Sequence, residues 1–229
     1  MKEKITKNIL GITAHADDHV MFAGTIMKLQ SDGYIYSEAV LTNSQEGESY
    51  KNTQEENIST MRMNEFHKAS KFLKTQKIFT LNQEDQNLTY SKELMYKLVK
   101  IIREIKPTIG FSMNKIDVHS DHIACNAIAT EAYRWAAKNF KLELGQPYRT
   151  PIVLFAEGTV PITPSILVDV TNYMNEKEKL FRIYDSQASS KDLELMKSFA
   201  TLRGYHLRTP GGIYAEAFSV EQNILPILF

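Results

Sequence analysis

Short apolar runs alternate along this chain with longer segments in which apolar residues recur every three or four positions. Five runs have strand length: Ile9 to Thr13, Ala39 to Thr42, Ile78 to Leu81, Thr108 to Ser112 and Ile152 to Ala156. The longer segments between them have the spacing of a helix with one buried face. This alternation predicts βαβ units, and therefore an α/β fold with a Rossmann-like, mostly parallel sheet and helices on both faces.

Capping residues predict where several helices begin and end. Thr53 to Glu56 has capping-box spacing and opens a helix predicted to run through Lys74. Ser91 precedes an apolar stripe that Pro107 ends. In the last third of the chain, the pattern predicts a strand from Ile166 to Val170 and helices from Asn172 to Tyr184 and from Lys191 to Arg203.

Length and composition limit the class of protein and its partners. A chain of 229 residues fits one domain over 1–229. Its 27 basic and 27 acidic side chains cancel, so we expect no binding to nucleic acid. The apolar stretch near the N-terminus is too short for a signal peptide or a spanning helix, so we expect a cytoplasmic protein without membrane insertion. The single cysteine, Cys125, is expected to be a buried free thiol.

Two clusters of histidine and aspartate each follow one of the predicted strands. His15-Ala16-Asp17-Asp18 comes directly after the first run, and His119-Ser120-Asp121-His122 follows the fourth. Side chains just beyond the carboxyl ends of parallel strands converge on one crevice, so the two clusters are expected to meet there. Either cluster alone is more often something other than a metal site, because adjacent aspartates after a strand often cap helices and His-x-x-His occurs by chance on ordinary helices. Together, at one edge of a sheet, they indicate a metal centre.

A ligand set can be assigned from the residue types. Catalytic zinc sites have three protein ligands drawn from histidine and carboxylate, with one position left open, and His15, Asp18 and His122 would supply that set. Zinc is the default metal, although two histidines and one carboxylate also suit iron(II).

The remaining polar residues of the clusters suit hydrolysis of an amide. Asp17 would lie beside the metal as general base and then general acid. His119, one helical turn before His122, could stabilise the oxyanion on the substrate carbonyl. Asp121 could orient one of the imidazoles.

These residues resemble the LmbE/PIG-L family of metal-dependent N-deacetylases. The first family signature, Ala-His-Pro-Asp-Asp-Glu with a following Gly-Gly-Thr, is similar to Ala14 to His19 and Ala23 to Thr25. The second, His-Pro-Asp-His, is similar to His119 to His122. Further matches span most of the chain in the expected order: Arg62 to Ala69, Asp85, Val168 to Lys179, Ser186-Gln187 and Tyr214 to Phe218.

The resemblance implies an activity and agrees with the site assigned above. It implies hydrolysis of the acetamide on an amino sugar, typically an N-acetylglucosamine unit carried by a small aglycone, lipid or antibiotic. It matches the same three residues to the metal ligands, Asp17 to the base and His119 to the oxyanion. Arg62 matches an arginine near the substrate, although a surface ion pair with a helical neighbour is nearly as good an interpretation. Family members often form oligomers, so a homo-oligomer is compatible with the sequence.

The chain departs from the family signatures at four positions. Ala16 and Ser120 replace prolines that stiffen the two loops. Ala23 replaces the first glycine of a pair, so a larger side chain must fit there. His19 replaces a glutamate. We interpret His19, in order of preference, as an inert residue at the start of a helix, as a group that supports the loop His15 to Asp18 (the metal loop), or as an accessory metal ligand.

Two other functions fit the same sequence. The metal site could serve an amidase acting on a thiol conjugate or an acylated antibiotic. Alternatively, the departures could mark a non-catalytic module of the same fold that binds a sugar or a nucleotide. Metal content separates the second alternative from both enzymes, and substrate profiling separates the two enzymes.

Overall fold

The alternating pattern folds into a single sheet covered by helices. The computed structural model describes residues 7–46 and 58–226. The strands in these residues are β1 Asn8–Thr13, β2 Ile35–Thr42, β3 Ile78–Gln83, β4 Ile109–Met113, β5 Ile152–Ala156, β6 Ile166–Asp169 and β7 Ala215–Ser219. The helices are α1 Ala23–Ser31, α2 Ile58–Phe72, α3 Lys92–Ile105, α4 Ser120–Ala136, α5 Met174–Phe181 and α6 Ser190–Leu207.

The sheet has the strand order β3-β2-β1-β4-β5-β7-β6. Neighbours among β1 to β5 are parallel, whereas β7 is antiparallel to both β5 and β6. The strand order reverses at β1, which pairs with β2 on one side and β4 on the other. In open α/β sheets such a reversal leaves a crevice outside the carboxyl ends of the strands. The predicted α/β fold with a mostly parallel sheet is confirmed.

Two apolar cores fill the two faces of this sheet. Leu10 and Ile12 of β1 belong to the core that α3 and α4 cover, whereas Ile9 belongs to the core shared with α1, α2 and α5. Residues that alternate along a buried strand point to opposite faces, so β1 has apolar residues on both of its faces between Ile9 and Ile12. Within the described parts of the chain, every helix is too short or too polar to pass through a lipid bilayer.

Most predicted element boundaries fall within two residues of the observed ones. The strand β2 is an exception, because it begins at Ile35, four residues before the predicted start. Helix α6 continues to Leu207 rather than Arg203. The predicted capping box at Thr53 to Glu56 lies outside the described residues. Ser91 does cap α3, because its side chain accepts a hydrogen bond from the Leu94 amide at 3.1 Å. Cys125 is a buried free thiol, as expected.

Candidate metal centre

The two predicted clusters lie side by side at the carboxyl ends of β1 and β4. His15 and Asp18 share the loop after β1, which continues into a 3-10 turn at Asp18–Phe22. The backbone amide of His15 donates to Asp18 Oδ2 at 2.7 Å, so the carboxylate closes the loop on itself. His122 lies in the first turn of α4, which starts after β4. All three side chains are almost fully buried.

Ligand-type atoms of three side chains converge where these loops meet. His122 Nε2 lies 3.1 Å from Asp18 Oδ1 and 3.3 Å from His15 Nδ1, and His15 Nδ1 lies 3.6 Å from Asp18 Oδ2. Two imidazole nitrogens and one carboxylate at these separations can bind one cation together after small side-chain adjustments. The sequence predicted this ligand set, and the structure brings its members together.

The outer nitrogens of both histidines face carboxylates. His15 Nε2 lies 3.0 Å from Asp85 Oδ1 and 3.3 Å from Asp121 Oδ2. His122 Nδ1 lies 3.0 Å from Asp117 Oδ2. A carboxylate behind a ligating histidine fixes the orientation of the ring and makes the ligand more basic. Asp121 lies close enough to His15 for the orienting role predicted from the sequence, and that role stays a prediction.

His15, Asp85 and Asp121 form a second group whose ligand-type atoms lie within 4.8 Å of one another. The carboxylates of this group already accept backbone hydrogen bonds. Asp121 accepts from the amides of Gln86 and Leu88, and Asp85 accepts from Gln86 and Glu46. Such engaged oxygens suit a supporting role behind His15 better than binding a cation of their own.

Asp117 was not identified from the sequence. Its Oδ1 accepts the His119 amide at 2.9 Å, which is the hydrogen bond of a turn closed by an aspartate side chain. The spacing Asp-x-His before a helix was the available signal. The contact with His122 could not be inferred from it, because that contact depends on how the turn meets α4.

Electrostatics tie the buried histidines to their carboxylates. Burial disfavours the charged form of His15, but Asp18 and Asp85 outweigh this effect and raise its pKa to about 11. Burial likewise opposes the charging of His122, whereas Asp18 and Asp117 raise its pKa to about 10. His122 and His15 in turn hold the pKa of Asp18 well below its usual range, against the effect of burial. The carboxylates of the cluster thus strongly favour positive charge at this position.

Asp17 lies at the exposed edge of the centre and contacts Arg62. Arg62 Nη2 donates to Asp17 Oδ1 at 3.2 Å, and Nη1 contacts Asp85 Oδ2 at 3.4 Å and the backbone carbonyl of Glu46. Arg62 is only 6% exposed, so the interpretation as a surface ion pair with a helical neighbour is wrong. Arg62 therefore connects Asp17, the predicted base, to Asp85, the carboxylate that contacts His15. Contact with substrate stays a prediction for this residue.

His119 lies against both histidines of the centre. Its ring centroid is 4.6 Å from that of His15 and 4.9 Å from that of His122. Its Nδ1 accepts the Asp121 amide at 3.2 Å, so this side chain also caps α4. Burial and the neighbouring histidines lower the pKa of His119. A neutral ring whose Nδ1 accepts carries its proton on Nε2, as the predicted oxyanion role requires.

His19 is fully buried and has partners at both ring nitrogens. Its Nδ1 lies 2.9 Å from Glu38 Oε2, and its Nε2 lies 2.9 Å from the Tyr184 hydroxyl. That hydroxyl donates to the carbonyl of Ala16 in the metal loop at 2.7 Å. The interpretation of His19 as an inert helix-start residue is therefore wrong. The contacts fit the second interpretation, a group that supports the metal loop.

The structure accommodates two other departures from the family signatures, Ala16 and Ala23. The amide of Ala16, which a proline would lack, donates to Ser44 Oγ at 2.9 Å and holds the loop to the end of β2. Ala23 is fully buried, and the crowded position is the retained Gly24. A Cβ on Gly24 would come within 2.8 Å of the Val170 side chain and 3.0 Å of Glu216 Oε1.

Comparison with known proteins identifies the family of this chain and agrees with its fold. The model of the PIG-L family, described as GlcNAc-PI de-N-acetylase, matches residues 10–133, more than half of the chain and both clusters. The protein therefore belongs to the PIG-L family. It is 26% identical over 225 residues, or 95% of this chain and 84% of the relative, to diacetylchitobiose deacetylase of Thermococcus kodakarensis. Family and relative together indicate an enzyme of the hydrolytic deacetylase type.

Solved structures share the architecture over nearly the whole chain. N,N'-diacetylchitobiose deacetylase from Pyrococcus horikoshii, complexed with its inhibitor MPG, superposes with a TM-score of 0.82 at 27% identity, covering 96% of this chain and 85% of that one. The 4-carboxy-2-hydroxymuconate hydratase GalB from Pseudomonas putida gives a TM-score of 0.85 at 21% identity, covering 98% of each chain. This second likeness shows the fold alone, and the reaction must be argued from the site.

Proposed function

We propose that this protein is a zinc-dependent hydrolase that removes the acyl group, in the simplest case acetyl, from an N-acylated amino sugar of the N-acetylglucosamine type. One observation carries the proposal: His15 Nδ1, His122 Nε2 and the Asp18 carboxylate converge within 3.6 Å beside Asp17. Membership of the PIG-L family and the two diacetylchitobiose deacetylases support the choice of an amino-sugar amide.

The donor set fits a catalytic divalent cation. His15, Asp18 and His122 would hold it, and carboxylates of Asp85 and Asp117 would orient the two rings. Three protein ligands leave a coordination position open, as in catalytic rather than structural zinc sites. When bound, such a cation acidifies a water molecule and polarises the substrate carbonyl.

The side chains around the centre supply the proton transfers. Asp17 takes a proton from the attacking water, whose oxygen bonds to the amide carbon, and then delivers a proton to the nitrogen as the C–N bond breaks. Arg62 fixes the Asp17 carboxylate at 3.2 Å during both transfers. His119 donates a hydrogen bond to the negative carbonyl oxygen. The products are a carboxylate and the free amine of the sugar.

Metal content and amine release test the proposal together. Purified protein should contain about one zinc or iron per chain, lose activity on chelation and regain it on reconstitution. It should release amine from N-acetylglucosamine or diacetylchitobiose. If the protein binds metal but releases amine from no N-acyl amino sugar, the substrate would be a different amide, such as a thiol conjugate. Absence of metal after reconstitution would leave a non-catalytic binding module as the better account.

Two variants separate metal binding from proton transfer. Asp17→Asn should keep the metal but lower kcat by about 10²–10⁴-fold, because the base is removed and the ligands stay. His122→Ala should lose the metal itself. His67→Ala is the matched control, since His67 is an exposed histidine on α2, and it should keep both metal and turnover. Turnover retained in Asp17→Asn would remove Asp17 as the base.

A further inference from the structure

An apolar cavity opens beside the candidate metal centre. It has a volume of about 230 Å³ and is walled by the metal loop, α5, α6 and β7. Asp17 and Asp18 of the candidate centre are among the residues that line it. Most of its surface is apolar, and the apolar side chains that provide it are Val20, Met21, Phe181, Leu195, Met196 and Phe199.

The cavity adjoins the centre itself. Gly158 lines the cavity, and a Cβ on it would come within 2.6 Å of Asp117 Oδ2, the carboxylate behind His122. The same Cβ would lie 3.4 Å from Met21 Sδ inside the cavity. Tyr184 also lines the cavity and donates to the Ala16 carbonyl. A molecule with a reacting amide at Asp17 therefore has this cavity within reach.

Lys177, Glu216 and Glu157, three of the charged residues in the cavity wall, already have ionic partners within the protein. Lys177 Nζ contacts Glu216 Oε1 at 2.6 Å, and Glu157 is paired with the Arg203 guanidinium. A sugar ring placed against the apolar side chains, which make up most of this wall, would give up hydrogen bonds to water and find few replacements, which is unfavourable. The wall thus favours an apolar group over a sugar.

We propose that this cavity holds the acyl chain of the substrate, so that N-acyl groups longer than acetyl are preferred. The inference rests on the proposed function, because it takes Asp17 as the position of the reacting amide. The acyl chain is bonded directly to the amide carbon, so it is the apolar group nearest to a cavity that Asp17 itself lines. An aglycone is separated from that carbon by the whole sugar ring.

A series of N-acyl glucosamines tests this preference. The metal-loaded protein is assayed with the acetyl, butanoyl and hexanoyl compounds, and with the octyl glycoside of N-acetylglucosamine. Burial of each added methylene should raise kcat/KM by up to about fourfold. A value that stays flat or falls with acyl length would overturn the inference. A rise confined to the octyl glycoside would overturn it too, and would assign the cavity to the aglycone.

Two leucines of α6 give a matched pair of variants. Leu195 lines the cavity and is 40% exposed, whereas Leu202 is 45% exposed and lies outside the cavity lining. Leu195→Gln should reduce the ratio of hexanoyl to acetyl kcat/KM by about fivefold or more, and Leu202→Gln should leave that ratio unchanged. Equal ratios in both variants and the wild type would contradict the assignment.

Binding without turnover separates this inference from the proposed function. Saturation-transfer NMR on N-hexanoylglucosamine should show the terminal methyl group in contact with the wild-type protein and a weaker signal with Leu195→Gln. If no N-acyl sugar is hydrolysed but this contact is present, the proposed reaction fails and the cavity assignment stands. If acetyl is hydrolysed and the contact is absent, the reaction stands and the cavity assignment fails.

Discussion

At the scale of single residues, His19 shows how a departure from a family signature can be absorbed. The imidazole is fully buried and joins Glu38 on β2 to the Tyr184 hydroxyl after α5. Glu38 is itself fully buried and also accepts from Thr13 Oγ1 at 3.2 Å. A fully buried carboxylate must keep its hydrogen-bond donors, because its removal from water otherwise costs a large free energy. His19 therefore contributes to stability through Glu38 and to the metal loop through Tyr184.

His19→Phe should lower the free energy of unfolding by about 3–5 kcal/mol, because it leaves the Glu38 carboxylate buried with fewer donors. Glu38→Gln should restore part of this loss when combined with it, since the neutral amide is less costly to bury. Urea unfolding of both single variants and the double variant measures the coupling. Strictly additive losses would show that the two side chains do not act as a pair.

The convergence of the three candidate ligands could be predicted from sequence, but most of the contacts that support their side chains could not. His15, Asp18 and His122 follow apolar runs, so strand pairing alone brings them to one edge. Asp117 and Glu38 meet their histidines only through turn geometry and side-chain packing. Neither contact produces a regular spacing of residues in the sequence from which it could be predicted.

At the scale of elements, the fit of α6 against the chain before β7 depends on one glycine. Gly204 is buried within α6, and a Cβ on it would lie 1.9 Å from the carbonyl oxygen of Ile213. The neighbouring atoms are main chain, so they cannot rotate away. The sequence predicted this helix only as far as Arg203, because a glycine weakens a helix unless packing requires it.

Gly204→Ala should lower the free energy of unfolding by about 1–3 kcal/mol, despite the higher helix propensity of alanine. The reason is overpacking against the Ile213 backbone, which would have to move. Ser198→Ala, at an exposed position of the same helix, should change stability by less than about 0.5 kcal/mol. The denaturant midpoints of both variants measure these changes in stability, provided that the free energy of unfolding depends on denaturant concentration with the same slope. A stabilised Gly204→Ala would mean that α6 and the chain before β7 are packed more loosely than described.

At the scale of the whole molecule, the carboxylate of Glu216 joins distant parts of the chain. It accepts from the amides of Gly24 and Thr25 at the start of α1, and from the Thr25 hydroxyl at 2.6 Å. Lys177 on α5 contacts it at 2.6 Å and also donates to the Met21 carbonyl. One buried carboxylate on β7 thereby holds α1, α5 and the turn after the metal loop together. An anion at a helix N-terminus is also favoured by the helix dipole.

The burial of Lys177 is not apparent from the charge pattern around it. The run from Glu176 to Lys179 has alternating charge and is typical of a solvated helix face. Lys179 fits that expectation, because it is exposed and contacts Glu176 at 2.6 Å. Lys177 is only 3% exposed. The difference arises because α5 turns this position toward Glu216, which is 39 residues further along the chain.

Two identical substitutions on α5 separate the buried lysine from the exposed one. Lys177→Met should lower the free energy of unfolding by about 3–5 kcal/mol, because it leaves the Glu216 carboxylate buried without its cation. Lys179→Met removes an ion pair of nearly the same length in water, and should cost less than about 1 kcal/mol. Urea unfolding measures the two variants side by side. Equal losses would mean that the contact between Lys177 and Glu216 contributes no more than a surface pair, and that the start of α1 is held by the hydrogen bonds to Gly24 and Thr25 alone.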